Sequence, residues 1–249
     1  MKSPLVPTNI ISIYKNSLGD LLPLPIRMAK CTPDTHTAIF NIATALAKKK
    51  GKLILSDLFR SYDMQAQSHQ DFIAGRKKAF SPPPGGSFHE AGRAFDMDLK
   101  AIKIPLADFW KIAAKYGMLP IIKQPKSGVS ESWHFDCRGS HQIVYDYYAS
   151  GKAKNFKAYT AAAASGILSI GVSVDFFGEN QVQAAIQSCL IRLGKDIGNI
   201  DGQIGRRTQK AVESLNILFT PDDPQEMLLQ VENLVQQKFP GEFITPPFI

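Results

Sequence analysis

The chain has 249 residues, 44% of them apolar, which is enough for two hydrophobic cores rather than one. Its 29 basic and 22 acidic residues leave a charge of +7 and a pI near 9.2, favouring an anionic partner: nucleic acid, anionic lipid or the carboxylate-rich bacterial wall. The basic residues are scattered, which sets nucleic acid aside, and Cys31, Cys137 and Cys189 are odd in number and far apart, which excludes a disulfide framework and a thiolate metal site.

The first fifteen residues lack the continuous apolar run and small-residue cleavage site of a signal peptide. Thr32-Pro33-Asp34 reads as an N-cap with proline at the first helical position, and Ile39, Ile42, Ala43 and Leu46 then recur at helical spacing, predicting a helix over about 33–49. Leu53 to Phe59 suits a buried strand, and Tyr62 to Ala74 a helix that stops at Gly75. Ser81-Pro82-Pro83-Pro84-Gly85-Gly86 must be a loop, because three prolines lack N–H donors. From Ala94 to Leu99, Phe95, Met97 and Leu99 alternate with Ala94, Asp96 and Asp98, the period of a strand with one apolar face and two carboxylates on the other. A helix over Pro105 to Tyr116, a strand over Met118 to Ile122 and a helix capped by Ser140 follow. The Gly-, Ala- and Ser-rich stretch 156–172 shows little periodicity and is expected to be a linker; its most apolar part, Ala161 to Val174, falls short of the ~20 residues a membrane span needs. Beyond it, stripes through Val182–Leu193, Thr208–Leu215 and Met227–Val235 predict three helices, the third opened by Asp222, Asp223 and Pro224.

Chemistry concentrates in two segments. Ser87-Phe88-His89-Glu90-Ala91-Gly92-Arg93-Ala94-Phe95-Asp96 places a histidine after a tight loop and an aspartate on the next strand's polar face, and Glu131-Ser132-Trp133-His134 adds a second histidine with a carboxylate three residues before it. Two imidazoles and one carboxylate suit Zn²⁺ with the fourth position left for water, and the remaining glutamate is free to act as a base. The pattern SxHxxGxAxD at Ser87, His89, Gly92, Ala94 and Asp96, followed by ExWH at Glu131, Trp133 and His134, resembles the signature of zinc D-alanyl-D-alanine carboxypeptidases. That family also includes phage endolysins cutting between L-Ala and D-Glu. Five fixed positions at roughly 5% usage match by chance in about one window in a few million. Arg60-Ser61-Tyr62-x-x-Gln65 resembles a further element of the family, so the likeness covers about residues 50 to 140.

The resemblance implies an α+β fold of the hedgehog/DD-peptidase type, an antiparallel sheet with flanking helices, followed here by a small all-α three-helix domain. It implies one zinc per chain held by His89, Asp96 and His134, with Glu131 as general base, Arg60 steadying the oxyanion, and Ser87 and Gln65 hydrogen-bonding substrate. Asn199 to Val212 matches the DGxxGxxTxxAV turn of a peptidoglycan-binding three-helix module, although Ser214-Leu215-Asn216 stands where that module has Phe-Gln. The expected domains are therefore 1–155, a zinc metallopeptidase; 156–172, a linker; and 173–249, a wall-binding helical unit. A fragment of residues 1–160 is expected to keep its chemistry. The expected function is hydrolysis of peptidoglycan peptides by a monomer in the cell envelope, as a D-alanyl-D-alanine carboxypeptidase, with an L-Ala-D-Glu endopeptidase of endolysin type or a non-catalytic zinc-containing wall-recognition protein as alternatives. Glu131 argues against the last, since a structural zinc needs no base.

Overall fold

Four short strands occupy the N-terminal thirty residues, to which no elements were assigned above: β1 (Val6–Pro7), β2 (Ile11–Lys15), β3 (Leu21–Pro23) and β4 (Lys30–Cys31). Helix α1 (Pro33–Ala47) then starts at its proline, with the Thr32 hydroxyl bonded to Asp34 and Thr35 rather than to a backbone N–H. Strand β5 (Leu55–Asp57) is followed by α2 (Tyr62–Ile73), whose cap Ser61 accepts from the Met64 N–H at 3.4 Å. Next come β6 (Ala94–Met97), α3 (Leu106–Lys115), β7 (Met118–Pro120), β8 (His134–Cys137) and α4 (His141–Ala149). The computed structural model describes residues 2–220 and 222–244, so the last five residues of the expected helical unit and Pro221 lie outside the described residues.

The architecture is α+β, as expected, and the main sheet has six strands in the order β3-β2-β5-β6-β8-β7, antiparallel except where β2 meets β5. Phe95, Met97 and Phe135 point to one side of it, into a core shared with Ile39, Ile42 and Leu46 of α1 and Phe109 of α3. Phe135 packs edge-on against Phe109 at 5.0 Å between ring centroids, a contact that adds about 0.5–1.5 kcal/mol to the burial itself.

The region expected to be a linker is a helix, α5 (Ala158–Ser169), with every residue from Ala161 to Ser169 buried. A helix covered on all sides carries no polar face, so it has no amphipathic period to find. Its small residues serve close approach: a Cβ at Gly166 would lie 3.0 Å from the Cβ of Ala91 and 3.7 Å from the ring of Phe88. After a 3₁₀ turn (Asp175–Phe177), the three expected helices follow as α6 (Gln181–Arg192), α7 (Arg206–Glu213) and α8 (Pro224–Lys238), the last capped by the Asp223 carboxylate. One apolar core runs from Phe88, Ala91 and Ala94 through α4, α5 and α6 to Phe243, so the far side of β6 is covered by the helical part. A fragment ending at residue 160 would cut through α5 and this shared core.

Ser140 does not cap α4 with its side chain, since Arg192 Nε donates to its hydroxyl at 2.7 Å. That contact belongs to a buried charged knot. Arg93, fully buried, is paired with Asp34, donates from Nε to the Cys137 carbonyl at 2.8 Å, and lies 3.6 Å from Glu242, whose other carboxylate oxygen takes Arg192 Nη2 at 2.6 Å. Buried charges persist only when paired and hydrogen-bonded, so this knot holds α1, the sheet and the helical part in one arrangement.

Candidate metal centre

Three adjacent elements deliver three potential ligands to one place. Gly92 takes φ +64°, a conformation open to glycine, and a Cβ there would strike Leu5 at 2.5 Å; the turn it makes brings His89 back beside β6. Pairing of β6 with β8 sets Asp96 opposite His134 in register. Among the described residues, His89, Asp96 and His134 therefore form a buried group whose ligand atoms all lie within 4.8 Å of one another, and they can hold a metal ion.

The protonation pattern suits that use. His89 Nδ1 lies 2.8 Å from the Leu58 carbonyl, an acceptor only, so Nδ1 carries a proton and Nε2 is the nitrogen turned toward the group. That Nε2 is buried with no hydrogen-bond partner and lies 3.4 Å from Asp96 Oδ1, an orphaned nitrogen of the kind a metal ion satisfies. His134 Nδ1 meets the same Asp96 oxygen at 2.8 Å, and its Nε2 meets Asp136 Oδ1 at 2.7 Å. Burial alone would lower the pKa of His134, but Asp136 and Asp96 on its two nitrogens overrule burial and push it up to about 10. Burial likewise opposes the charge on Asp96, yet the neighbouring histidines hold its carboxyl well below the usual range.

No protein-family profile matches the chain, and no curated protein matches it in sequence. Some solved structures are similar to part of it. One is the LD-carboxypeptidase LdcB, in a structure described as revealing the molecular basis of peptidoglycan recognition; the likeness has a TM-score of 0.41 and 19% identity over 54% of this chain and 68% of that one. Another is the L,D-carboxypeptidase DacB of Streptococcus pneumoniae, with a TM-score of 0.33 and 22% identity over 54% of this chain and 85% of that one. A third is a mutant of the vancomycin-resistance D,D-pentapeptidase VanY in complex with Zn(II), with a TM-score of 0.34 and 17% identity over 52% of this chain and 82% of that one.

The three residues open onto a cleft of about 880 Å³ that Arg60, Ser87 and Glu131 also line. Arg60 Nε donates to Asp57 at 2.5 Å, Nη1 to Gln65 at 3.1 Å and Nη2 to Asp96 at 3.4 Å, which spends three of its five N–H donors. Gln65 is fully buried and its amide is committed to Arg60, Ser81 and the Pro82 carbonyl, so it does not line the cleft: the structure places it behind Arg60, not against substrate. Ser87 stays at the cleft with its hydroxyl accepting from the His89 N–H at 3.3 Å. Glu131 takes φ +66°, a left-handed conformation uncommon for a side-chain-bearing residue, immediately before the strand that carries His134. Glu90 ties down the proline-glycine loop by accepting from the N–H groups of Gly85 and Ser87, and burial pushes its pKa up to about 7.

Three residues of the centre were missed. Asp136 lies two places beyond His134 on the same strand, a period-two signal that would have set both on one face. Asp57 stands three places before Arg60. Tyr159, whose hydroxyl donates to Asp136 at 3.3 Å, comes from α5, where nothing local announces it.

Proposed function

We propose that the chain is a zinc-dependent peptidase acting on peptidoglycan stem peptides, and that D-alanyl-D-alanine carboxypeptidase activity is its first reading. The observation that carries the proposal is the buried His89–Asp96–His134 group with its orphaned Nε2, set in a cleft that Arg60 and Glu131 share. Nitrogen and carboxylate donors of this number fit a catalytic zinc better than a structural one, which is closed by four protein ligands. When bound, zinc supplies Lewis-acid polarisation of a carbonyl and makes hydroxide available near neutral pH. Glu131 accepts the proton from the attacking water and returns it to the leaving amine. The two N–H groups that Arg60 has left face the charge developing on the carbonyl oxygen, while Asp57 and Gln65 hold the guanidinium in place. Ser87 offers a hydroxyl to the peptide backbone. The peptidoglycan class rests on the motif resemblance and on the net charge of +7.

One observation favours the second reading, an L-Ala-D-Glu endopeptidase. A cleft of about 880 Å³ sits near the top of the ~300–1,000 Å³ range of small-ligand sites and has room for more than a terminal dipeptide. Digestion of purified muropeptides with the zinc-loaded chain, followed by mass spectrometry of the fragments, separates the two: free D-alanine supports the carboxypeptidase, cleavage after L-alanine the endopeptidase, and no cleavage of either bond overturns the proposal. We further propose that the helical unit carrying the Asn199 to Val212 turn binds the wall polymer, which sedimentation of the full chain with insoluble sacculi tests. No helix among the described residues is long and apolar enough to cross a membrane.

A further inference from the structure

One link between the helical part and the metal centre runs through a single oxygen. Asp136 is fully buried, and its Oδ1 accepts both from His134 Nε2 at 2.7 Å and from the Tyr159 hydroxyl at 3.3 Å. Its other oxygen lies 3.6 Å from Arg138 Nε. The Tyr159 ring is itself fixed: it meets Phe88 edge-on at 5.5 Å, and Phe88 is fully buried one residue before His89.

We propose that Tyr159 is a positioning residue for the metal centre, orienting the ligand His134 through Asp136, so that the centre is complete only with α5 in place. The inference rests on reading His89, Asp96 and His134 as metal ligands. A carboxylate turns easily about its last torsion, and a ligating imidazole is only as well aimed as the carboxylate that holds its other nitrogen. With His134 on one side of Oδ1 and the phenol on the other, the plane of the Asp136 carboxylate is set by two donors. Nε2–H is thereby held on Asp136, with Nδ1 turned to the side of Asp96. Removing the phenol oxygen leaves the ring packing on Phe88 but frees that plane.

The test is a double-mutant cycle on zinc affinity, measured on the full chain by competition with a chromogenic chelator at fixed pH, with thermal unfolding recorded for each variant. Asp136→Asn is expected to weaken zinc binding by about 10- to 100-fold, the usual cost of losing a group that orients a ligand. Tyr159→Phe is expected to bind zinc several-fold more weakly at an unchanged unfolding temperature. The double variant is expected to be no weaker than Asp136→Asn alone, because Tyr159 acts only through that carboxylate. Tyr145→Phe, which alters a ring packed on Arg138 but makes no contact with Asp136, is expected to keep wild-type affinity. Wild-type affinity in Tyr159→Phe, losses that multiply in the double variant, or an equal loss in Tyr145→Phe would each overturn the proposal. A wild-type chain that binds zinc yet cleaves no muropeptide would overturn the peptidase reading alone.

Discussion

His134 lies between two carboxylates, and that position makes its metal-free form an imidazolium. A metal must therefore displace a proton from Nδ1, while Nε2–H stays with Asp136. About one zinc per chain is expected by elemental analysis, and a strong chelator should abolish muropeptide hydrolysis until zinc is returned. His89→Ala and His134→Ala should lose metal and activity together; retention of wild-type affinity in both would mean that the ligands are misassigned. At Glu131 the chemistry and the backbone can be separated. Glu131→Ala should keep zinc but lose about 10²–10⁴-fold in turnover, as loss of a general base does. Glu131→Gly should be equally inactive yet more stable than the alanine variant, by about 1 kcal/mol in chemical denaturation, because only glycine adopts φ +66° without strain. An alanine variant as stable as the glycine one would show that the left-handed backbone at this position is unstrained.

Helix α5 is rich in alanine, the best helix former, and close contact fixes it in place. Replacing Gly166 with valine would force three carbons into space already occupied by Ala91, Phe88 and Arg93, and overpacking of this kind costs about 1–3 kcal/mol. The variant should unfold at lower denaturant concentration, and its zinc affinity should fall as Phe88 and Tyr159 shift. The same helix shows where sequence reasoning succeeds and where it stops. Helices α1, α3 and α8 were legible because each has one wet face, and α6, although buried from Ala184 to Arg192, because polar Gln183, Gln187, Ser188 and Arg192 set off its apolar stripe. Strand β6 was legible from its alternation, and with it Asp96; His89 and His134 were legible from their spacing within the motif. Helix α5, buried and built almost wholly of small residues, has no such contrast, and strands of two to five residues, as near the N-terminus, are too short to show a period. Tyr159 was beyond reach because nothing local marks its bond to Asp136 on another element, and only the packed structure shows that the Gln65 amide is spent on Arg60, Ser81 and Pro82.

At the scale of the molecule, the two halves share both an apolar core and a charged knot. A fragment of residues 1–160 ends inside α5 and loses Arg192 and Glu242, leaving the fully buried Arg93 without one of its two carboxylates. It should fail to fold cooperatively, as judged by circular dichroism melts, and should be inactive on soluble muropeptides and sacculi alike. Glu242 also makes the fold acid-sensitive. Burial alone would raise its pKa, but Arg93 and Arg192 overrule burial and hold it below the ordinary value of 4.5. Its contribution is therefore complete above pH 4.5 and is lost as pH falls through the lower, folded value. Glu242→Gln should be less stable at neutral pH and should lose less on acidification than the wild type; parallel stability curves against pH would remove Glu242 from this role.

Segments far apart in the chain also touch: the Ser3 N–H donates to the Ser169 carbonyl at the end of α5, at 2.9 Å, and its hydroxyl donates to the Glu242 carbonyl. Residue 3 is made 239 residues before residue 242. At ~5–20 residues per second, about 10–50 s of synthesis separate them. Once made, Arg93 has no Glu242 to pair with until that interval closes, whereas Asp136 waits only 23 residues for Tyr159. The surroundings of the histidines can therefore assemble well before the charged knot, which closes only after residue 242 has been made.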